Sequence, residues 1–150
     1  MTVGQHCNRN LVTVAGDASI TRAAQLMREY HVGSIVIIDT DTNKGKPVGM
    51  LTDRDIVMEV IAGEVPIDTV TVADIMSTDP LVIEEQESLV EATQRMAARG
   101  IRRTPVVDEF GNAIGILTVD DLLTLFSSEL NIISRLFERE TSVERTVRSS

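Results

Sequence analysis

Two short stretches carry the residues best suited to chemistry: Gly49, Met50, Leu51, Thr52, Asp53, Arg54, Asp55 and Gly115, Ile116, Leu117, Thr118, Val119, Asp120, Asp121. In each, a glycine and two apolar residues read as the end of a strand. A threonine with an acid three positions on then opens a helix. Thr52 with Asp55 and Thr118 with Asp121 fit a capping box, the hydroxyl accepting from the third helical N–H and the carboxylate from the threonine's own N–H. The same groups suit a ligand. A helix start offers unpaired N–H groups and the positive end of a dipole to a phosphate, an upstream glycine admits a ligand to the backbone, and a carboxylate accepts both hydroxyls of a ribose. Bare cap and ribose-phosphate site are both open at this point.

These stretches are held by a chain that repeats itself. At a spacing of 69 residues, Thr2 and Val3 fall on Thr71 and Val72, Ser19 on Ser88, Ala23 on Ala92, Gln25 on Gln94, Met27 on Met96 and Asp39 on Asp108. Three extra residues in a polar loop, Thr40 to Pro47 with Asn43, Gly45 and Pro47, then change the spacing to 66 and bring Gly49, Leu51, Thr52 and Asp55 onto Gly115, Leu117, Thr118 and Asp121. Two copies of one supersecondary unit therefore fill the chain.

Each copy reads as β-α-β-β-α. An extended stretch (Leu11 to Val14; Leu81 to Ile83) leads to a polar cluster, Asp17 and Ser19 or Glu87 and Ser88, that can cap a helix. Ile20, Ala23, Ala24, Met27 and Tyr30 recur at helical spacing, as do Leu89, Ala92, Thr93 and Met96. Ser34 to Ile38 and Thr104 to Val107 are short apolar runs rich in β-branched residues, the pattern of strands covered on both faces. Asp108 to Asn112 signals a hairpin into Ala113 to Leu117. The fold class is α/β (α+β), with two pseudo-symmetric repeats.

The organisation that follows is repeat 1 over 1–62, a linker over 63–70, repeat 2 over 71–127, a helical extension over 128–140 and a flexible tail over 141–150, the repeats forming one compact body. Thr71 to Met76 reads as a single helical turn with Thr71 and Asp74 in capping-box positions. The closing helices, Ile56 to Ala62 and the one starting Leu122, Leu123, Thr124, Leu125, Phe126, are apolar nearly all round. Such a helix in a small protein needs more than one apolar neighbour, so the expectation is a homodimer.

Composition narrows the function classes. With 43% hydrophobic and 25% charged residues the chain fits a soluble globular protein. No apolar run approaches the roughly 18 to 20 residues that span a bilayer, and no basic-then-apolar leader stands at the start, so a cytoplasmic location is expected. A net charge of −9 opposes general nucleic-acid binding, which needs a lysine and arginine surface. The single cysteine, Cys7, and the isolated His6 and His31 make neither a disulfide nor a metal site. The serines lack a histidine base and the paired acids are explained by helix starts, so no enzyme and no catalytic cofactor are expected.

The repeated unit, the apolar strand ending in Asp39 or Asp108, and the Gly, apolar, apolar, Thr, x, x, Asp motif closely resemble the cystathionine β-synthase (CBS) domain, over residues 2 to about 127 and twice at the right spacing. The resemblance implies a stand-alone CBS pair, or Bateman module, with two sheets about a pseudo-twofold axis and two clefts for an adenosine derivative: AMP first, or ADP, ATP, NAD or S-adenosylmethionine. It implies ribose binding by Asp55 and Asp121 and ribose or phosphate contacts from Thr52 and Thr118. Arg54 matches the family's Thr-Asp-Arg-Asp pattern and is a phosphate candidate, with a solvated surface arginine as the alternative. Arg102 and Arg103, before Thr104 and Pro105, match a basic pair used on phosphates; Gly33 and Ser34 stand there in the first repeat, so the two clefts are unequal. Adenine would lie against Val12 to Val14, Ile35, Leu81 to Ile83 and Val106, positions that also read as plain core. A regulatory module that signals to a protein effector follows, and the alternative from another class is a dimerisation or scaffold domain whose threonine and aspartate motifs are only caps.

Overall fold

Serine caps and short apolar strands set the layout of the first repeat. The chain is described by a computed structural model over residues 1–41 and 45–149. Its first elements are α1 (Val3–His6), β1 (Thr13–Ala15), α2 (Ile20–Tyr30), β2 (Ser34–Ile38) and β3 (Pro47–Thr52). Then come α3 (Asp53–Asp55), which passes into a π-helix over Ile56–Ile61, and α4 (Val72–Ile75). The second repeat holds β4 (Ser77–Thr78), β5 (Ile83–Glu84), α5 (Leu89–Arg99), β6 (Arg103–Val107), β7 (Ala113–Thr118) and α6 (Val119–Arg148). Asn43, in the loop that lengthens the first repeat, lies outside the described residues.

Ser19 and Ser88 start α2 and α5 as expected, each Oγ accepting the N–H three residues on (3.0 and 3.1 Å), which satisfies one of the orphan donors of a helix start. The inward face of α2 is Ile20, Ala23, Leu26 and Met27. Of the residues assigned to that face from spacing, Ala24 is exposed at its edge, and Tyr30 lies on the same stripe beyond Leu26 but is exposed at the helix end; Leu26 joins the buried face. Both helices stop at a left-handed residue, Gly100 (φ 63°) after α5 and its counterpart His31 (φ 54°) after α2.

The sheets follow the repeat. β1 runs parallel to β2 (Thr13 opposite Val36) and β2 antiparallel to β3 (Ser34 opposite Thr52), while β5 runs parallel to β6 (Ile83 opposite Val106). Ile35, Ile37 and Leu51 turn one face of the first sheet toward Ile20, Ala23 and Leu26 of α2 and toward Ile56 and Val60 of the π-helix. Val36, on the opposite face of β2, is also fully buried, as expected for a strand covered on both sides.

The repeats are interlocked at their beginnings. Val3 N donates to Glu87 O and Gly4 N to Glu85 O; reciprocally Val72 N donates to Ala18 O and Ala73 N to Gly16 O, all at 2.9 Å. Each short N-terminal helix thus sits on the strand-to-helix turn of the other repeat. The residue after it adds to the other repeat's sheet: Ser77 of β4 pairs with Met50, and Asn8 pairs with Ile116. These pairings, two residues long at β4 and a single bridge at Asn8, are too short to show hydrophobic alternation.

The exchange also explains the motif glycines. A Cβ on Gly49 would collide with Met76 Sδ and lie 2.9 Å from Ser77 O, and one on Gly115 would lie 3.0 Å from Cys7 Sγ and 2.8 Å from Asn8 O. Expected to admit a ligand, these glycines instead admit the crossing strand of the other repeat. The correction is one of occupancy: sulfur and carbonyl already fill the space.

Where the sequence suggests one compact body, contacts divide the chain into Met1–Leu117 and Thr118–Ser150. The second unit is essentially α6. Its helical pattern runs unbroken through Arg148, so residues 141–148 continue the helix, with Thr141 and Thr146 hydroxyls donating to Phe137 O and Ser142 O.

Candidate functional site

The capping boxes are formed. Thr52 Oγ1 accepts from Asp55 N at 3.1 Å while Asp55 Oδ2 accepts from Thr52 N at 2.9 Å. Thr118 and Asp121 repeat this at 3.1 and 3.3 Å. Both pairs are half-buried, and each aspartate spends one oxygen on the cap. A carboxylate has two oxygens and about four lone-pair sites, so capping and ligand binding are compatible uses of one side chain.

Register gathers the other first-repeat candidates. Because Thr13 is level with Val36 and Ser34 with Thr52, residues 9–12, the stretch before β2 and the Thr52–Asp55 turn all lie at one end of the first sheet. A cavity of about 580 Å³ opens there, lined by Arg9, Asn10, Leu11, Val12, Thr13, Leu26, Tyr30 and Val32. Its volume is within the range of small-molecule sites. Next to Val32, the Gly33 carbonyl accepts from Arg103 Nη1 at 3.3 Å and from Asp53 N at 3.0 Å. Arg103 therefore reaches from the second repeat to the residue next to the first-repeat cavity.

The remaining candidates are placed as follows. Ser34 is half-buried at the β2 start, whereas Ile35 is fully buried in the core cluster, so only its backbone is available to a ligand. Pro105 is buried in β6. Arg54 and Arg102 are exposed, with side chains in solvent. Of the apolar positions, Ile83 and Val106 are fully buried and Val12 lines the cavity. Thr104 is a wholly buried polar side chain, and its hydroxyl donates to Leu81 O.

Sequence reasoning missed Arg9, Asn10, Leu11, Leu26, Tyr30 and Val32 as cavity residues. Arg9 also holds Gly4 O at 2.9 Å and Glu85 Oε2 at 3.4 Å, which fixes it beside the interlock. No spacing rule marks it, since its counterpart in the second repeat is Thr78; that asymmetry was the available signal. Among the described residues no cluster of metal-ligating side chains occurs, and no helix is long and apolar enough to cross a membrane.

Two β-α-β-β-α units, interlocked at their starts and each carrying a Thr-x-x-Asp helix cap, define a tandem-repeat α/β architecture. The CBS domain family model matches residues 3–62 and 72–128, and the chain belongs to that family as a tandem CBS pair. Among curated relatives, an uncharacterized protein of Methanopyrus kandleri, MK0525, is 37% identical over 123 residues, covering 82% of this chain and 61% of that protein. The chain thus spans under two thirds of that relative. The CBS domain-containing protein YhcV of Bacillus subtilis is 37% identical over 116 residues, 75% of this chain and 76% of that one. Among solved structures, the CBS domain pair of protein MJ0100 in complex with 5′-methylthioadenosine and S-adenosyl-L-methionine aligns with a TM-score of 0.75 at 26% identity, covering 86% of this chain and 98% of that one.

Proposed function

We propose that this chain is a cytoplasmic regulatory module that binds an adenosine-containing ligand, AMP first among AMP, ADP, ATP, NAD and S-adenosylmethionine, and passes occupancy to a protein effector as a conformational change. The observation that carries the reading is the first-repeat cavity, walled by Leu11, Val12, Leu26 and Val32 together with polar Arg9, Asn10 and Thr13, at the sheet end that also holds the Thr52–Asp55 cap, with the Arg103 guanidinium on the Gly33 carbonyl next to Val32. The purine takes the apolar part, against Val12, Leu26 and Val32. Asp55 accepts from the ribose hydroxyls through the oxygen the cap leaves over, and Arg103, exchanging its Gly33 carbonyl for a charged acceptor, meets the phosphate. In the second repeat Asp121 and Thr118 have the corresponding roles. The MJ0100 pair, which holds two adenosine derivatives, supports the ligand class.

Such a ligand acts by binding one arrangement of the module more tightly than another. The module is a homodimer, since Val57, Met58 and Ile61 of the π-helix present an apolar face at 50%, 53% and 66% exposure. The chain performs no chemistry of its own in this scheme.

The test is thermal melting of the full chain with each of the five ligands. At 100 times its Kd a ligand adds about 2.7 kcal/mol of stability, which raises Tm by several degrees. Asp55→Asn keeps the amide oxygen for the cap but loses the charge, so it weakens the response while costing the ligand-free protein only about 0.3–1 kcal/mol at the helix start. If none of the five ligands shifts Tm, the scaffold reading replaces this one.

A further inference from the structure

The buried stripe of α2, Ile20, Ala23 and Met27, continues in steps of three and four to Tyr30, the last residue of the helix. Yet Tyr30 is 57% exposed, whereas Leu26 and Met27 are each 8% exposed. Four residues before β2 begins at Ser34, it lines the cavity at the sheet end instead of covering the sheet. With Leu26 and Val32 it makes an apolar wall there. The stretch 9–13 adds Asn10 and Thr13, whose amide and hydroxyl suit the polar edge of a flat heterocycle better than an aliphatic chain. Packing does not require an aromatic ring at this point. At the 69-residue spacing the second repeat has Arg99 there, ending α5 before the same left-handed stop. An aromatic ring kept in water on a cavity wall is a surface on which a base can stack.

We propose that the Tyr30 ring is the platform on which the ligand's adenine stacks. This inference rests on the adenosine reading of the first-repeat cavity and deepens it, assigning the base a partner outside the Thr-x-x-Asp motif. The ring completes the wall that Leu26 and Val32 begin, and the stacked base takes the place that the sheet holds under the earlier residues of the stripe. Stacking acts on the base alone, so it holds every adenosine derivative whatever its ribose carries. Because Arg99 stands at the equivalent position, the platform belongs to the first repeat only.

The chain has one tyrosine, so NMR of the full chain with labelled tyrosine reads a single phenol ring. AMP, ADP, ATP, NAD and S-adenosylmethionine are titrated in turn, and calorimetry gives the affinity of each for the parent, Tyr30→Phe and Tyr30→Ala. Tyr30 is more than half exposed, so both variants fold, which an unchanged ligand-free melting transition checks. With a ligand that binds, the ring signals are expected to move upfield under the ring current of the stacked purine, along the isotherm that the heat follows. Tyr30→Phe keeps the ring and binds within about twofold of the parent, while Tyr30→Ala binds about 5- to 150-fold more weakly. Unmoved ring signals in the presence of a bound ligand, or equal affinity in Tyr30→Ala, overturn the platform and leave the adenosine reading standing. A loss in Tyr30→Phe as large as in Tyr30→Ala also overturns it, since the contact then belongs to the hydroxyl. Five ligands that release no heat and move no signal overturn both.

Discussion

Replacing Gly49 with alanine distinguishes two uses of the same glycine. The added Cβ meets Met76 Sδ and comes within 2.9 Å of the Ser77 carbonyl oxygen. The thioether is the movable end of a flexible side chain, but the carbonyl belongs to β4 and is held by the pairing of Ser77 with Met50. Inserting one methyl into such a contact costs about 1–3 kcal/mol. Taking about 3–5 °C per kcal/mol for a body of this size, Tm falls by roughly 3–15 °C. Urea titration with a circular-dichroism readout measures the change in free energy directly, and an unchanged slope shows that the unfolded state is not its source. Met76→Ala in the same chain removes the sulfur, so the pair of changes costs less than the sum of the two singly, a coupling of about 0.5–3 kcal/mol. Unchanged stability in Gly49→Ala together with lost ligand response would refute the crossing-strand account and restore the glycine to the ligand.

Two further outcomes follow from single side chains. Thr104→Val preserves shape but strips Leu81 O of its buried donor, and urea unfolding should show a loss of about 1–3 kcal/mol. His31→Gly relieves a left-handed backbone that Gly100 occupies without strain in the other repeat, so it should gain about 0.5–1 kcal/mol in the same assay.

The repeat made most of this fold readable. Spacing alone placed α2, β2, β3, α5, β6 and both Thr-x-x-Asp caps, because serine caps, β-branched runs and capping boxes are local devices whose partners lie within four residues. What lay out of reach was non-local. Met76 over Gly49 and Cys7 over Gly115 are contacts between repeats, and the sequence shows a glycine without showing what covers it. The π-helical turn after Asp55 was equally hidden, since Ile56 to Ala62 is apolar in any helical register; the N–H of Ala62 bonding Val57 O, five residues back, is a packing outcome. At the site, the threonines, aspartates and Arg103 were legible as types. The cavity beside them depends on Arg9, Leu26 and Tyr30, which only the tertiary arrangement brings to one place.

The exchange of N-terminal segments has a kinetic meaning. Hydrogen bonds from Val3 to Glu87 and from Asn8 to Ile116 join the beginning of the chain to its second half, while Val72 and Ser77 close back on the first. Neither sheet is finished until the opposite half has been synthesised and has folded around it. A ribosome-bound first half emerges with its β3 edge uncovered, and that edge waits for Ser77 and Thr78 to arrive. Completion of both sheets is therefore a joint event late in synthesis that adds contacts of long sequence separation, which form more slowly than helices closing on near neighbours. The interval before that event is when the uncovered strand is exposed to pairing with another nascent chain.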